Sequence, residues 1–178
     1  MADCCSAPNL LPLEQALSQI LQSLPGNYGY QRLPLKKSLH RVVYNDIHSI
    51  INVPGFRNSS MDGYALHSGS KQNASLNVVG TSWAGQPYTG ELQSGECIRI
   101  FTGAYIPDSC DRVVMQENVT RTADSITINQ WPVQFENVRN IGSDIQQGQQ
   151  LFSRGHYLKA ADIGLLASCG IADVALFS

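Results

Sequence analysis

The chain has 178 residues and a formal net charge of -2; 43% of its residues are apolar and 15% are charged. That length suits one large domain or two small ones with a real core, and the composition is globular rather than disordered. No basic run exceeds Lys36-Lys37, which argues against nucleic-acid binding, and no apolar stretch approaches the roughly 20 residues of a membrane helix. The first nineteen residues lack the basic start and unbroken apolar run of a secretory leader. Cys4, Cys5, Cys97, Cys110 and Cys169 form no CxxC pair and are odd in number, which excludes the usual zinc and disulfide frameworks and points to reduced thiols. A soluble, cytoplasmic protein is expected.

In chain order, Leu13, Ala16, Leu17, Ile20, Leu21 and Leu24 fall on one face of a helix whose other face is polar. Pro25-Gly26-Asn27 ends it. The polar face carries no basic residue, so the leucine face is expected to pack on protein rather than on a membrane surface. Val42-Val43-Tyr44, Ile47 and Ile50-Ile51 suggest strand, and Pro54-Gly55 marks a sharp change of direction. Residues 76 to 138 read as β-rich. Leu76 to Val79 is closed by Gly80, Cys97 to Phe101 is buried on both faces, and Val113 to Met115 and Ile126 to Ile128 follow. Short strands at this spacing predict a small barrel or strongly bent sheets. Ala160 to Cys169 reads as a helix with Ile163, Leu166 and Ala167 inward, Asp162 in its first turn and Gly170 as left-handed C-cap. The apolar run Ala175 to Ser178 looks like a cut, or a strand whose partners are missing.

Three segments combine glycine with hydroxyls or carboxylates: Asn58 to Tyr64, Ile100 to Ala104 and Arg139 to Asp144. Glycine lets backbone approach a ligand, hydroxyls donate to oxyanions, and carboxylates hold a hard cation such as Mg²⁺. Arg139 has the geometry to grip an anion. Each segment also has an ordinary reading, since Asp62-Gly63 is a common turn pair and Thr102 before Gly103 can simply end a strand. The four histidines lack ligand spacing, and no GxSxG, P-loop or GxGxxG occurs.

Taken together, four ordered stretches resemble one family. PGFRNSSMDGYALH resembles the PxFxNSxMDGYA signature of the MoeA family of molybdopterin molybdenumtransferases. GTSWAGQPYTGEL resembles its AGxP segment, CIRIFTGAYIPDSCDRVVMQENV its TGAxxPxGxDxVV segment, and VRNIGSDIQQGQQLFSRGHYLKAADIGLLASCGIADV its RxxGEDxxxG segment. The resemblance runs from about Leu13 to Val174 and covers the first two domains of that family. Ser143 stands where the family has glutamate, and Ser109 replaces a glycine.

The resemblance implies an N-terminal part, inactive alone, of an enzyme that inserts molybdate-derived molybdenum into adenylylated molybdopterin, with release of AMP. It implies a homodimer, a following MogA-like domain, and a MogA-like adenylyltransferase as a partner. The terminal Val-Ala-Leu-Phe-Ser resembles the first strand of that following domain. Carried over by position, Asp62, Thr102 and Asp144 are catalytic. Ser59, Ser60, Gly63, Gly103 and Arg139 are the expected cofactor-binding residues, and Asp62 and Asp144 the expected Mg²⁺ ligands. The implied fold is mainly β (α+β): residues 54–139 form a barrel-like subdomain, and residues 1–53 with 140–178 form a small α/β unit in which the N-terminal helix packs. A related animal protein serves receptor clustering, so the alternative is a scaffold module without catalysis.

Overall fold

The computed structural model describes residues 11–24, 26 and 29–178. Helix α1 is Leu13–Ser23 and α2 is Ala160–Ser168. The strands are β1 Tyr30–Pro34, β2 Ile47–His48, β3 Asn58–Ser59, β4 Gly63–His67, β5 Ser75–Ser82, β6 Glu96–Ile100, β7 Cys110–Met115, β8 Val119–Thr122, β9 Ser125–Ile128, β10 Val138–Arg139, β11 Gln150–Phe152 and β12 Asp173–Phe177. The expected mainly β architecture is present as a curled half-barrel sheet with two helices.

Six strands form the main sheet in the order β7-β4-β6-β5-β9-β8. Every pairing in it is antiparallel except β5 with β6. Because side chains alternate across a sheet, its two faces feed two separate cores. Ala65, Ile98, Ile100 and Val113 enter one, with Leu92, Ile106 and Cys110. Tyr64, Leu66, Cys97 and Val114 enter the other, with Leu76 and Ile126. Strands buried on both sides lose polar alternation, which is why Cys97 to Ile100 reads as apolar nearly throughout. Each fully buried Leu or Ile contributes roughly 1.5–3 kcal/mol to holding these layers.

A third core gathers Leu35, Val43, Leu158, Leu166, Val174 and Leu176. Its frame is β1 paired antiparallel with β12, in register from Tyr30↔Phe177 to Pro34↔Asp173, and β2 paired with β11. The terminal run is thus a strand whose partner lies within this chain, contrary to the expectation that its partners are missing. Helix α2 starts without a Ser, Thr or Asp cap. The Asp162 carboxylate instead reaches back to accept the Lys159 N–H at 2.9 Å, and Gly170 closes the other end at φ +75°. Leu166 is buried and Ile163 half-buried, but Ala167 is exposed.

Three further expectations are corrected. Helix α1 forms as read but does not pack against residues from 140 onward; none of its residues is buried, and Leu13 is 82% exposed. The third core closes without it, from residues of 33–47 and 151–176. Strand β5 continues through Gly80 to Ser82, with a register shift between Val78 and Gly80. Ile50-Ile51 is exposed and irregular rather than strand. The stop expected at Pro25-Gly26-Asn27 falls largely outside the described residues, as do Cys4 and Cys5; Cys97, Cys110 and Cys169 are free and buried.

Candidate functional site

Asp62 sits on the turn between β3 and β4, and Thr102 on the turn after β6. The Asp62 Oδ1 accepts the Thr102 N–H at 2.8 Å and the Thr102 Oγ–H at 2.7 Å. One carboxylate oxygen therefore clasps two turns forty residues apart, and no described residue hydrogen-bonds the other oxygen, Oδ2. The Thr102 N–H, then its hydroxyl, then the nearby Arg99 guanidinium hold the Asp62 carboxyl below the usual carboxylate range.

The same two turns are stitched by backbone. Gly103 N–H donates to the Ser59 carbonyl at 2.8 Å, and Ser59 N–H to the Ala104 carbonyl at 3.0 Å. Gly103 lies at φ +81°, a conformation glycine adopts without strain. Buried Ser59 turns its hydroxyl inward, donating to the Met61 carbonyl at 2.6 Å, and Ser60 N–H donates to the Asn137 carbonyl at 3.0 Å. Gly63 has a different duty. A Cβ there would lie 1.9 Å from the Val114 carbonyl oxygen, so only glycine lets β4 and β7 close.

Asp144 and Arg139 form a second group. Arg139 Nη2 donates to both Asp144 oxygens, at 2.7 and 2.6 Å. Asp144 N–H donates to the Val53 carbonyl at 3.0 Å, next to the cis Val53–Pro54 bond. The pair is joined to the first group through backbone, since Arg139 faces Asn58 and Val138 faces Ser59 across β10 and β3. No hydrogen bond or ion pair links Asp62 directly to Asp144 among the described residues.

Sequence reasoning missed Arg99. It stands between buried Ile98 and Ile100, and its guanidinium lies 5.2 Å from the Tyr64 ring centroid and 4.7 Å from that of Phe101. Arg99 Nη1 donates to the Gly63 carbonyl at 3.1 Å and Nη2 to the Gln116 amide oxygen. A single cation within the apolar run Cys97 to Phe101 was the available signal. Arg57 Nη2 donates to the Pro107 and Cys110 carbonyls at 3.1 and 3.0 Å, fixing the loop beyond the Thr102 turn.

The donor set bears on magnesium. Among the described residues no three His, Cys, Asp or Glu side chains gather to hold a metal. Asp144 is engaged by Arg139, whereas Asp62 Oδ2 is available as a single ligand. Mg²⁺ is commonly held by one or two carboxylates together with substrate phosphates, so Asp62 fits such a role and Asp144, as paired here, does not.

Residues 11–170 match the model of the MoeA N-terminal region (domain I and II). The chain is 42% identical over 167 residues to a molybdopterin molybdenumtransferase of Haemophilus influenzae, covering 93% of this chain and 41% of the relative. It is 34% identical over 183 residues to gephyrin of Dictyostelium discoideum, covering 93% of this chain and 25% of that protein. A solved molybdopterin biosynthesis MoeA protein of Pyrococcus horikoshii superposes with a TM-score of 0.86 at 28% identity, over 94% of this chain and 46% of that one. The chain thus spans about two fifths of the transferase it matches. It belongs to the MoeA family and corresponds to that family's N-terminal region.

Proposed function

We propose that this chain is the N-terminal part of a molybdopterin molybdenumtransferase, and that the Asp62–Thr102 clasp forms one wall of the site where molybdenum enters adenylylated molybdopterin. The observation that carries the reading is the double hydrogen bond from Thr102 to Asp62 Oδ1, in a chain whose matched relatives are named for that activity. Both donors of Thr102 point at Asp62, so Thr102 serves the site by being held rather than by donating to an oxyanion. Asp62 stays ionised at neutral pH and presents Oδ2. Arg99, anchored on two rings, adds positive potential beside it. Mg²⁺ bound at Oδ2 would neutralise phosphate charge on the substrate. Gly103 keeps the turn free of a side chain, Ser59 and Ser60 brace the clasp through their hydrogen bonds, and Gly63 lets β4 close on β7 beside it. Arg139 and Asp144, as a closed ion pair, fix the segment that precedes β3.

The activity belongs to a longer protein in these relatives, so molybdate, molybdopterin-AMP and a MogA-like adenylyltransferase that supplies it enter here by family membership. We also infer two units, residues 1–53 with 140–178 and residues 54–139. The support is that the third core draws only on residues 33–47 and 151–176, while the other two draw on residues 64–138. A homodimer through the exposed face of α1 is part of the same reading. A scaffold role without catalysis is the second reading, favoured by that same face. The test is a chimera in which this chain replaces the matched region of the Haemophilus influenzae enzyme. The proposal expects the chimera to insert molybdenum into adenylylated molybdopterin; a folded chimera that cannot do so refutes it in favour of the scaffold.

A further inference from the structure

The segment Ser82 to Gly90 carries features the transferase reading does not use. Phe56, Trp83, Pro87, Tyr88 and Tyr105 line an open trough of about 520 Å³ that is almost wholly apolar. Phe56 and Trp83 are 46% and 49% exposed. A second hollow of about 350 Å³ shares Tyr88, Thr89 and Tyr105 and reaches Glu91 and Asp108. Aromatic planes thus run into a polar end that carries carboxylates.

The trough is prebuilt. Tyr88 is wedged between two glycines: a Cβ on Gly80 would lie 2.3 Å from its Cε2, and one on Gly90 would lie 2.2 Å from its hydroxyl oxygen. Buried Ser82 donates to the Tyr105 carbonyl at 3.0 Å and accepts the Tyr88 N–H at 3.4 Å. Trp83 and Gln86 exchange backbone hydrogen bonds at 2.9 and 3.0 Å around Gly85 at φ +80°. Trp83 then stacks on Phe101 at 3.9 Å between centroids. Tyr105 donates its hydroxyl to Asp108 at 3.2 Å. Rings held this firmly lose little freedom on binding.

We propose that this trough binds a proline-rich segment of a partner protein that carries a basic residue, with the prolines against the aromatic rings and the cation at Glu91 and Asp108. The polyproline helix is already extended, has no internal hydrogen bonds and repeats every three residues, about 9 Å. Aromatic-lined grooves select it for that reason. The lining offers few polar groups to read the edge of a flat heterocycle, which a small-molecule site needs. Charge decides the rest. Asp108 is 92% exposed by its side chain, and Glu91 is exposed. Arg57 approaches Asp108 only to 3.9 Å and spends its Nη2 on two carbonyls. The acidic end favours a cation and disfavours an anionic nucleotide.

The experiment is calorimetric titration of the chain with an acetylated, amidated heptapeptide of six prolines around a central arginine. A copy with glutamate in place of the arginine, and AMP, are titrated in parallel. The proposal expects saturable binding of the arginine peptide, with the glutamate copy about tenfold weaker. Trp83→Ala and Tyr88→Ala should each weaken the arginine peptide about tenfold or more. The paired surface change Asp108→Asn with Glu91→Gln, which leaves the core untouched, should bring the two peptides to within about threefold of each other. Unchanged melting curves show that each variant is folded. Absence of saturable peptide binding overturns the proposal, and so does equal affinity for the two peptides. AMP that excludes the peptide and is lost with Tyr88→Ala would assign the trough to a nucleotide.

Discussion

The Asp62 carboxylate takes both hydrogen bonds of Thr102 on one oxygen and leaves the other for a ligand. Its neighbours Ser60, Met61 and Gly63 describe a turn, and nothing in them points to Thr102, forty positions away. The clasp separates two duties of one carboxylate, because asparagine keeps an acceptor for Thr102 and loses the charge. In the chimera, Asp62→Ala should lower molybdenum insertion by about tenfold or more, and Asp62→Asn should fall between it and the parent. If Asn matches the parent, the charge is irrelevant; if Asn matches Ala, the clasp is. Acid stability follows from the same groups. Asp62, Asp111 and Asp162 all have lowered pKa values, chiefly through hydrogen bonds from Thr102, Arg112 and the Lys159 N–H respectively. A depressed carboxylate stabilises the fold above its unfolded value, near 3.9 for Asp, and that contribution is lost as pH falls through the folded value. Melting temperature should therefore hold from neutral pH to about 4 and then drop, and less steeply in Asp162→Asn. Asp111 is 7% exposed and takes both of its Arg112 bonds at 2.8 Å. Asp111→Ala should cost about 2–4 kcal/mol in denaturant unfolding, discounted from a fully buried pair because Arg112 keeps some contact with water.

Among the elements, those with one dominant signal were legible. Helix α2 announced itself through Ile163, Leu166 and Gly170, and β6, β7 and β9 through short apolar runs between turns. Strand β4 was hidden because Gly63, Tyr64 and His67 look like loop residues, and because Gly63 is demanded by a neighbour rather than by a turn. Gly80 misled in the same way, since it ends nothing and makes room for Tyr88. Both are long-range packing requirements, invisible to a local pattern. Gly63→Ala tests the point directly: with its Cβ aimed at the Val114 carbonyl, β4 and β7 must part, and the loss should reach about 3 kcal/mol. A melting temperature like that of the parent would show that the strand gap yields. At the far end, Asp162→Ala should remove the reach-back bond to Lys159 and cost about 1 kcal/mol, measured by the same unfolding.

For the whole molecule, composition and punctuation were enough for the mainly β class, while the separation into cores needed the sheet order. Helix α1 was legible as a helix with a leucine face, and that face leaves Leu13, Leu17, Ile20 and Leu21 exposed. A contiguous apolar face of this kind marks an association surface. The chain should self-associate as concentration rises in sedimentation velocity, and Leu17→Glu with Leu21→Glu should hold it monomeric. A parent that stays monomeric throughout the range would rule out α1 as a self-association surface. The proposed site depends above all on two distant turns acting as one wall. The most direct measurement is a double-mutant cycle in the chimera, with Asp62→Ala, Thr102→Ala and both together, read as the rate of molybdenum insertion. The clasp predicts that the double variant loses scarcely more than Asp62→Ala alone, because without the carboxylate the Thr102 hydroxyl has nothing left to hold; losses that multiply would show that Asp62 and Thr102 act independently.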